Sequence, residues 1–381
     1  MGFCDVIVVG GGIIGTASAH FLSKRGHKVQ ILEQAAIPNP LGSSGDHAQA
    51  FPLTHGKDTF YTDLAVKAQA LWRDLQHDTH QELLLQNGVL ELATGDGAYE
   101  ESCFQALTDL KLPVQKLNQA QLRERYRMLR VRGFKFGVFH QGGGMVWVKK
   151  AAELFAKATE KSGGRAEGGV RIVKVLKDKT GIQGVQDSKG KVWRSQNYVF
   201  APGAWTRELL ADVGLPLTVT KQECLYLRPP CNQGRYRPAH FPIISIRSKG
   251  MQCFPVHIHG FMKVSHMRKG VLSRSPGTEA VPDKDFEKKC RGFLKDLFQD
   301  LSNFADLEGR VAHFTRTPDG DFILDRLPGL ANGWLATGFS GAACTFAPLV
   351  GQLVSQLVSG EKPVLNLHRF RIGRLRLRPK R

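Results

Sequence analysis

What this chain lacks narrows it first. No stretch of its 381 residues approaches the roughly 18 consecutive apolar residues of a membrane-spanning helix. It has no low-complexity run and no internal repeat. Its seven cysteines are scattered and odd in number, and none forms a C-x-x-C pair. That excludes a disulfide framework and a zinc ribbon, and leaves buried or idle thiols. His257 and His259 could share a strand face, but no third ligand lies near them in sequence, so no metal is expected. The opening MGFCDVIVVGGG enters a strand with no basic region before it and no cleavage site after it. This argues against a signal peptide, and the expectation is a soluble, cytoplasmic protein.

Acids are also scarce: 34 against 53 lysines and arginines, for a net charge of +19. Part of the excess is local, since His368 to Arg381 (HRFRIGRLRLRPKR) carries seven positive residues and no acid. The plain reading is a solvated tail; the other is contact with an anionic partner, nucleic acid or a membrane surface. Elsewhere the basic excess is spread out and no nucleic-acid motif accompanies it, so nucleic acid is not an expected partner.

What is present begins at Asp5. Asp5-Val-Ile-Val-Val-Gly10 reads as a buried parallel strand feeding into Gly10-Gly-Gly12-Ile13-Ile14-Gly15. A small-residue helix closes at Gly26, and a second strand, Lys28 to Glu33, ends on an acid 18 residues after Gly15. Gly10 permits the tight turn, Gly12 the approach of a pyrophosphate to the helix N-terminus, and Gly15 close packing of helix on strand. Glu33 can accept hydrogen bonds from ribose hydroxyls. Strand, glycines, helix, strand and acid in this order point to binding of an ADP moiety, and the acid disfavours a 2′-phosphate.

This fingerprint alone does not separate FAD from NAD. After Glu33 the regular pattern breaks into a long loop, IPNPLGSSGDHAQAFPLTHG, followed by a predicted helix from Thr59 to Gln86. A nucleotide unit interrupted by insertions suggests a flavoprotein. Further pieces come later: a helix from Lys149 to Ser162, a strand headed by Val170, and the strand Tyr198 to Trp205 before a helix from Thr206 to Val213. Last, Gly333-Trp-Leu-Ala-Thr-Gly338-Phe-Ser-Gly341 precedes a helix from Ala347 to Ser359. Glycines at the carboxyl ends of parallel strands are where α/β sheets bind phosphates or a ring edge.

VIVVGGGIIG, GSSGDHAQAFPLTHG, APGAW, GFMKVSH, and TPDGDFILDRLPG followed by ATGFSGAA occur in order over nearly the whole chain. In these residues the chain resembles the monomeric sarcosine oxidase and pipecolate oxidase family, among the D-amino-acid-oxidase-like flavoproteins. The resemblance implies an α/β fold: a Rossmann-like FAD-binding domain with a second, antiparallel-sheet substrate domain. The FAD domain is expected in three pieces, 1–80, 145–215 and 310–381, and the substrate domain in two, 81–144 and 216–309. It further implies FAD contacts at Gly10, Gly12, Ile13, Ile14, Gly15, Glu33, Gln34, Ser43, Ser44, Val170, Gly203 and Trp205, and then at Thr315, Gly338, Phe339, Ser340, Gly341 and Thr345. Thr315, Arg316 and Thr317 are expected near the isoalloxazine. The implied reaction oxidises the C–N bond of a secondary, N-methyl or cyclic amine to an imine by hydride transfer to flavin, with O2 giving hydrogen peroxide. Lys263 matches the lysine that promotes the reaction with oxygen, and His266 lies by a family histidine near the substrate; both are the expected catalytic residues. A monomer is expected.

The chain departs from the family at defined places. Where the family reads GSSHGDSR with a second arginine three positions on, this chain has Gly45-Asp46-His47-Ala48-Gln49 and then Pro52, so both arginines are lost. After GFSG it reads Ala342-Ala343-Cys344-Thr345 in place of the family's His-Gly-Phe-Lys. Buried charges need pairing, so a simple free amino acid is not the expected substrate. A bulkier or more apolar amine, such as a natural-product amine, fits better. The alternatives are a relocated clamp on Arg247 or Arg268, an RNA-acting relative that oxidises a modified tRNA base, and a dehydrogenase or binding module. Gln49, Gln252, Met267, Phe314, Ala342 and Cys344 are the expected substrate-pocket residues. The family's flavin-tethering cysteine is replaced by Ala312, so FAD is expected to be non-covalent, with His313 or Cys344 as the fallback anchors. In TPDGDFILD, Asp319 and Asp321 should shape a turn by side-chain to backbone bonds.

Overall fold

The structure, a computed structural model, describes residues 4–229, 233–257, 259–267, 269–273, 276–277, 281–301 and 307–375. The β-branched run Val6–Val9 is fully buried and lies inside a six-stranded sheet. Across that sheet the order is Ile323–Arg326, Gly333–Thr337, Asn197–Phe200, Val6–Val9, Val29–Leu32 and Arg165–Glu167. All neighbours are parallel except the first pair. The period of two divides the first strand between two cores: Val6 and Val8 meet one cluster of buried residues, Ile7 and Val9 another. The first cluster holds the helices Ile13–Lys24, Val148–Lys161 and Ala343–Val358. The second holds residues of a three-stranded antiparallel sheet, Ile172–Asp178, Gly181–Asp187 and Val192–Trp193.

A nine-stranded sheet forms the second layer. Thr218–Leu227 pairs with Met262–His266, and the order continues through Met251–Cys253, Ile243–Ile246, Val89–Ala93, Phe136–His140 and Gln115–Asn118. Every pairing is antiparallel except that of Ile243–Ile246 with Val89–Ala93. On its other side Thr218–Leu227 pairs residue for residue with Leu307–Arg316. The segment expected to join the FAD domain at 310 therefore begins inside a strand of the second sheet. Similarly Gly144–Val146, which straddles the expected boundary at 145, pairs with Gln49–Phe51 and Leu84–Leu85. Ladder hydrogen bonds decide where the chain changes layer, and glycine positions do not reveal them.

Three helices differ from expectation. The one predicted over Thr59 to Gln86 spans Thr59–Thr79: Asp58 caps it by accepting from the Tyr61 N–H, and His80 ends it in the left-handed region at φ 51°. The last helix starts at Ala343, not at Ala347, and carries Pro348 inside it rather than at its first turn. The one predicted over Thr206 to Val213 is an α-helix only over Thr206–Leu209, followed by a 3-10 turn, Ala211–Val213. Val170 lies just ahead of the Ile172–Asp178 strand, its N–H bonded to the Glu33 carbonyl at 2.8 Å.

The acidic turn and the basic tail explain each other. Arg374 reaches Asp319 at 2.8 Å, Arg371 reaches Asp325 at 2.5 Å, and Arg369 bridges Asp321 (2.7 Å) and Asp58 (3.0 Å). Phe322 is stacked between Phe370 (centroids 3.9 Å apart) and Phe339 (4.8 Å). The first half of the tail is therefore a clamp on the turn rather than a solvated strap; residues from Arg376 onward lie outside the described residues. Asp319 also accepts the Asp321 N–H at 3.1 Å, a side-chain to backbone bond that shapes the turn.

Burial holds His20, His55, His140 and His257 each at about 4. Unfolded, they titrate near 6.5. As pH falls from about 6.5 towards 4, the unfolded chain takes up protons that the folded chain refuses, so stability is lost across that window. Neither ring nitrogen of the fully buried His140 has a hydrogen-bond partner among the described residues. His140→Phe should therefore remove on the order of 2 kcal/mol of the stability lost between pH 7.5 and pH 5. Denaturant titrations at the two pH values measure this; an unchanged difference would clear His140.

Candidate active site

The glycine fingerprint builds a groove at the carboxyl ends of the parallel strands. Gly10 has φ +111°, and a Cβ there would lie 2.4 Å from the Ala201 carbonyl oxygen. A Cβ on Gly15 would lie 1.9 Å from the Gly10 oxygen, so this residue sits under the groove as helix–strand packing and does not line it. Gly12 faces open space except for Ser44 Oγ, which accepts the Ile13 N–H at 2.9 Å. The N–H groups of the next residues are the orphan donors of a helix N-terminus, which begins at the groove. Glu33 accepts from Gly11 N–H (2.7 Å), Asn39 Nδ2 (3.1 Å) and Ala35 N–H (3.2 Å), and keeps lone pairs for a ribose hydroxyl. Asn39, which also lines the groove, was not singled out from the sequence.

The groove brings together Gly10, Gly12, Ile13, Ile14, Glu33, Gln34, Ser43, Ser44, Val170, Gly203, Trp205, Thr315, Gly338, Phe339, Ser340 and Gly341. Thr315 Oγ1 is buried with no partner among the described residues. Ser340 holds φ 54°, and a Cβ on Gly341 would meet the Phe314 ring at 2.7 Å. A close backbone approach, an orphaned hydroxyl and a helix N-terminus together fit an adenine dinucleotide with a flat ring at its far end. Thr345 lies elsewhere: it is buried under the adjoining cavity, its carbonyl accepting from Trp72 Nε1 at 3.2 Å.

That adjoining cavity shares Gln49, Phe314, Ser340 and Gly341 with the groove. It also receives Lys263, His266, Gln252, Met267 and Ala342. Cys344 does not line it; its thiol is buried, turned to the Ala50 carbonyl at 3.6 Å, and pushed up to about 12 by burial. Arg247 is exposed and stacks on Tyr99 at 3.9 Å, away from the cavity, while Arg268 lies outside the described residues. Of the turn residues, Thr315 faces the cofactor groove and Arg316 the cavity, and Thr317 closes the turn by donating to the Asp321 carbonyl at 2.7 Å. His266 packs edge-on against Phe286 at 5.5 Å.

Lys263 is only 4 % exposed, and its Nζ lies 2.6 Å from both Asp46 Oδ2 and the Ala48 carbonyl. Tyr226 donates its hydroxyl to Asp46 Oδ1, and Arg310 binds the neighbouring Gly45 carbonyl at 2.6 Å. Burial opposes both charges, but their mutual attraction outweighs it: the Lys263 ammonium is held above the usual lysine range and the Asp46 carboxyl below the usual carboxylate range. Lys263 is thus half of a buried ion pair, with a third N–H left over. Asp46 is a partner that the sequence placed 217 residues away and gave no signal for. His47 joins His257 and His259, the rings 5.3–5.7 Å apart, but among the described residues no group of three such side chains is arranged to hold a metal ion. Among these residues no helix is long and apolar enough to cross a membrane.

A sheet of this order with a dinucleotide groove opening into a second cavity defines a flavin-dependent oxidoreductase. The chain belongs to the FAD dependent oxidoreductase family, whose model matches residues 5–357. It is 27 % identical to the peroxisomal sarcosine oxidase of Homo sapiens, covering 97 % of this chain and 96 % of that protein. It is 26 % identical to the monomeric sarcosine oxidase of Bacillus sp. (strain NS-129), with the same coverage. Among solved structures it matches L-proline dehydrogenase from P. horikoshii with a TM-score of 0.86, at 21 % identity and 99 % coverage of both chains. Glycine oxidase from Geobacillus kaustophilus gives 0.84, at 23 % identity, covering 98 % of this chain and 99 % of that one. FAD is the cofactor, and the groove residues named above fit it.

The ion pair can be tested by its asymmetry. Removing one member of a buried pair strands the other, at a cost of about 3 kcal/mol or more. Asp46→Asn should destabilise the holoenzyme by this amount, and adding Lys263→Met should recover part of it. Additive losses in the double-mutant cycle would show that the two side chains do not depend on each other.

Proposed function

We propose that this chain oxidises a secondary or N-methylated amine at the carbon next to nitrogen, releasing the imine and, with O2, hydrogen peroxide. The observation that carries this is Lys263, held in the wall of a cavity that adjoins the cofactor groove. The names of the two sarcosine oxidase relatives support the substrate class, as does the N-methyl-L-tryptophan oxidase of Citrobacter koseri at 24 % identity. FAD, when bound, supplies the hydride acceptor that O2 reoxidises. The protein's own residues orient and exclude water. Gln49, Phe314, Ser340 and Gly341 line both chambers, and Phe254 lies 4.8 Å from the Lys263 ammonium and shields it from solvent. The Lys263 ammonium is preorganised by Asp46 and the Ala48 carbonyl, so it can stabilise the anionic charge that oxygen acquires without first reorganising solvent. His55, in the same cavity, stays neutral.

The substrate is not a simple free amino acid. Gln49, Pro52, Ala342 and Thr345 line the cavity where the family's basic residues stand, and none of them carries a charge to pair with an α-carboxylate. The cofactor is held without a covalent bond: Ala312 occupies the tether position and the Cys344 thiol is buried and protonated. A flavin that stays with acid-precipitated protein would refute this. For the lysine, Lys263→Met should slow flavin reoxidation by roughly 10²-fold while leaving anaerobic flavin reduction within a few fold. Stopped-flow measurement of the two half-reactions decides it; equal slowing of both would remove Lys263 from the oxygen reaction.

A further inference from the structure

The basic excess of this chain, expected to be spread out ahead of the tail, gathers at one place in the fold. From Arg123 to Arg132, five of ten residues are arginine. Arg125 turns aside, bonding Gln115 at 2.7 Å and stacking on Phe139 at 4.1 Å. The other four, with Lys249 and Lys295, line one open cavity of about 800 Å³. Its described lining shares no residue with the cofactor groove or the substrate cavity.

Backbone pairing brings these cations together. Arg123 lies in the helix Gln119–Arg125, and Lys295 in the last turn of the helix Lys284–Leu297. Between them Leu129 and Phe298 form an antiparallel bridge. The Arg130 N–H fastens it to the Leu297 carbonyl at 2.8 Å, and Arg130 Nε to the Phe298 carbonyl at 3.1 Å. Lys249 enters from the turn after the strand Ile243–Ile246. Below them Leu129, Val131, Phe134, Ile246 and Leu297 are all buried, so the cations stand on a packed base.

Little in the protein neutralises them. Asp296, the one acid in the described lining, meets Lys249 at 3.3 Å. Among the described residues Arg123, Arg127, Arg130, Arg132 and Lys295 have no acidic partner. Basic residues in the last turn of a helix complement its dipole, which accounts for Arg123 and Lys295. It does not account for Arg127, Arg130 and Arg132, which lie outside both helices. Like charges gathered in a concave surface repel one another, and the field they focus attracts a ligand of opposite sign.

The lining also narrows the kind of anion. Guanidinium forks take carboxylate or phosphate two-pronged, but five unpaired cations in one cavity match charge packed more densely than a peptide's carboxylates allow. The only aromatic ring in the described lining, Phe134, is buried, so no face is offered to stack a base. None of the exposed large hydrophobic side chains lines the cavity, so nothing there enters a bilayer and a lipid would be met only at its headgroup. We infer that this cavity is a binding site for a compact, phosphate-rich anion, held by Arg123, Arg127, Arg130, Arg132 and Lys295. The site stands apart from the catalytic centre and rests on no reading of the reaction.

The test uses the purified holoenzyme, titrated with inorganic tripolyphosphate by calorimetry. Tripolyphosphate should bind, and more weakly as salt rises. Arg127→Gln/Arg132→Gln/Lys295→Gln should weaken it by about tenfold or more. Lys149→Gln/Lys157→Gln/Lys161→Gln removes the same charge from the exposed face of another helix and should leave the affinity unchanged. Both triple variants should retain their flavin, which shows that they fold. Phosphatidylcholine vesicles carrying phosphatidylinositol bisphosphate form the second arm. Vesicle binding that tripolyphosphate displaces identifies a headgroup as the source of the phosphates; tripolyphosphate binding without vesicle binding identifies a free ligand. No binding of tripolyphosphate, or equal weakening by the two triple variants, would overturn the site and leave these arginines a solvated face. Binding of transfer RNA or an acidic peptide through the same residues, with none of tripolyphosphate, would overturn the choice of ligand.

Discussion

The site depends on one buried ion pair. Asp46 sits on the loop after the nucleotide fingerprint, and Lys263 on the middle of a strand in the second sheet, so their 2.6 Å contact joins two parts of the chain that share no backbone ladder. Each charge alone would be expelled from such an interior; together, with the Tyr226 hydroxyl and the Ala48 carbonyl, they are tolerated. The consequence is geometric as much as electrostatic. The loop whose Ser44 accepts from the first turn of the cofactor helix is the same loop that fixes the lysine, so one short segment ties groove to cavity.

A second constraint works from the opposite side. The strand Leu307–Arg316 belongs to the second sheet, yet its end delivers Thr315 to the cofactor groove and Arg316 to the cavity. Beyond Arg316 the chain must turn sharply and re-enter the first sheet at Ile323, antiparallel to Gly333–Thr337. Asp319 and Asp321 in that turn and Asp325 in the strand after it are met by three arginines from the C-terminal segment, while Phe370 closes the stack on Phe322. Surface ion pairs are individually weak. Here they act on a loop that Phe322 and Phe370 already pin, so they set its orientation more than its stability.

Much of this was legible in the sequence, and the remainder was hidden for physical reasons. The glycine pattern left a trace: Gly10, held by a close backbone approach, and Gly12, Gly338 and Gly341, named from the sequence, all line the groove. Pairing between distant side chains leaves no such trace. Asp46 reads as a loop acid, and only the fold shows that it holds Lys263; Arg369, Arg371 and Arg374 read as a solvated tail, and only the turn across from them shows their use. Cys344 does not line the pocket: the helix begins at Ala343, one turn earlier than the expected Ala347, and the thiol is turned to the Ala50 carbonyl. The boundary at 310 failed because a strand can belong to one sheet and end in the other's active site.

Arg316 illustrates how the fold changes the meaning of a loss. From the sequence, the missing clamp arginines imply a cavity that has shed its positive charge. In the structure, one guanidinium remains in that cavity, two positions past Phe314 on the same face of the same strand, with a threonine rather than an acid as its partner. A strand's period of two makes residues 312, 314 and 316 neighbours along one wall of the cavity, across from Gln49 and Pro52 of the preceding loop in the same lining.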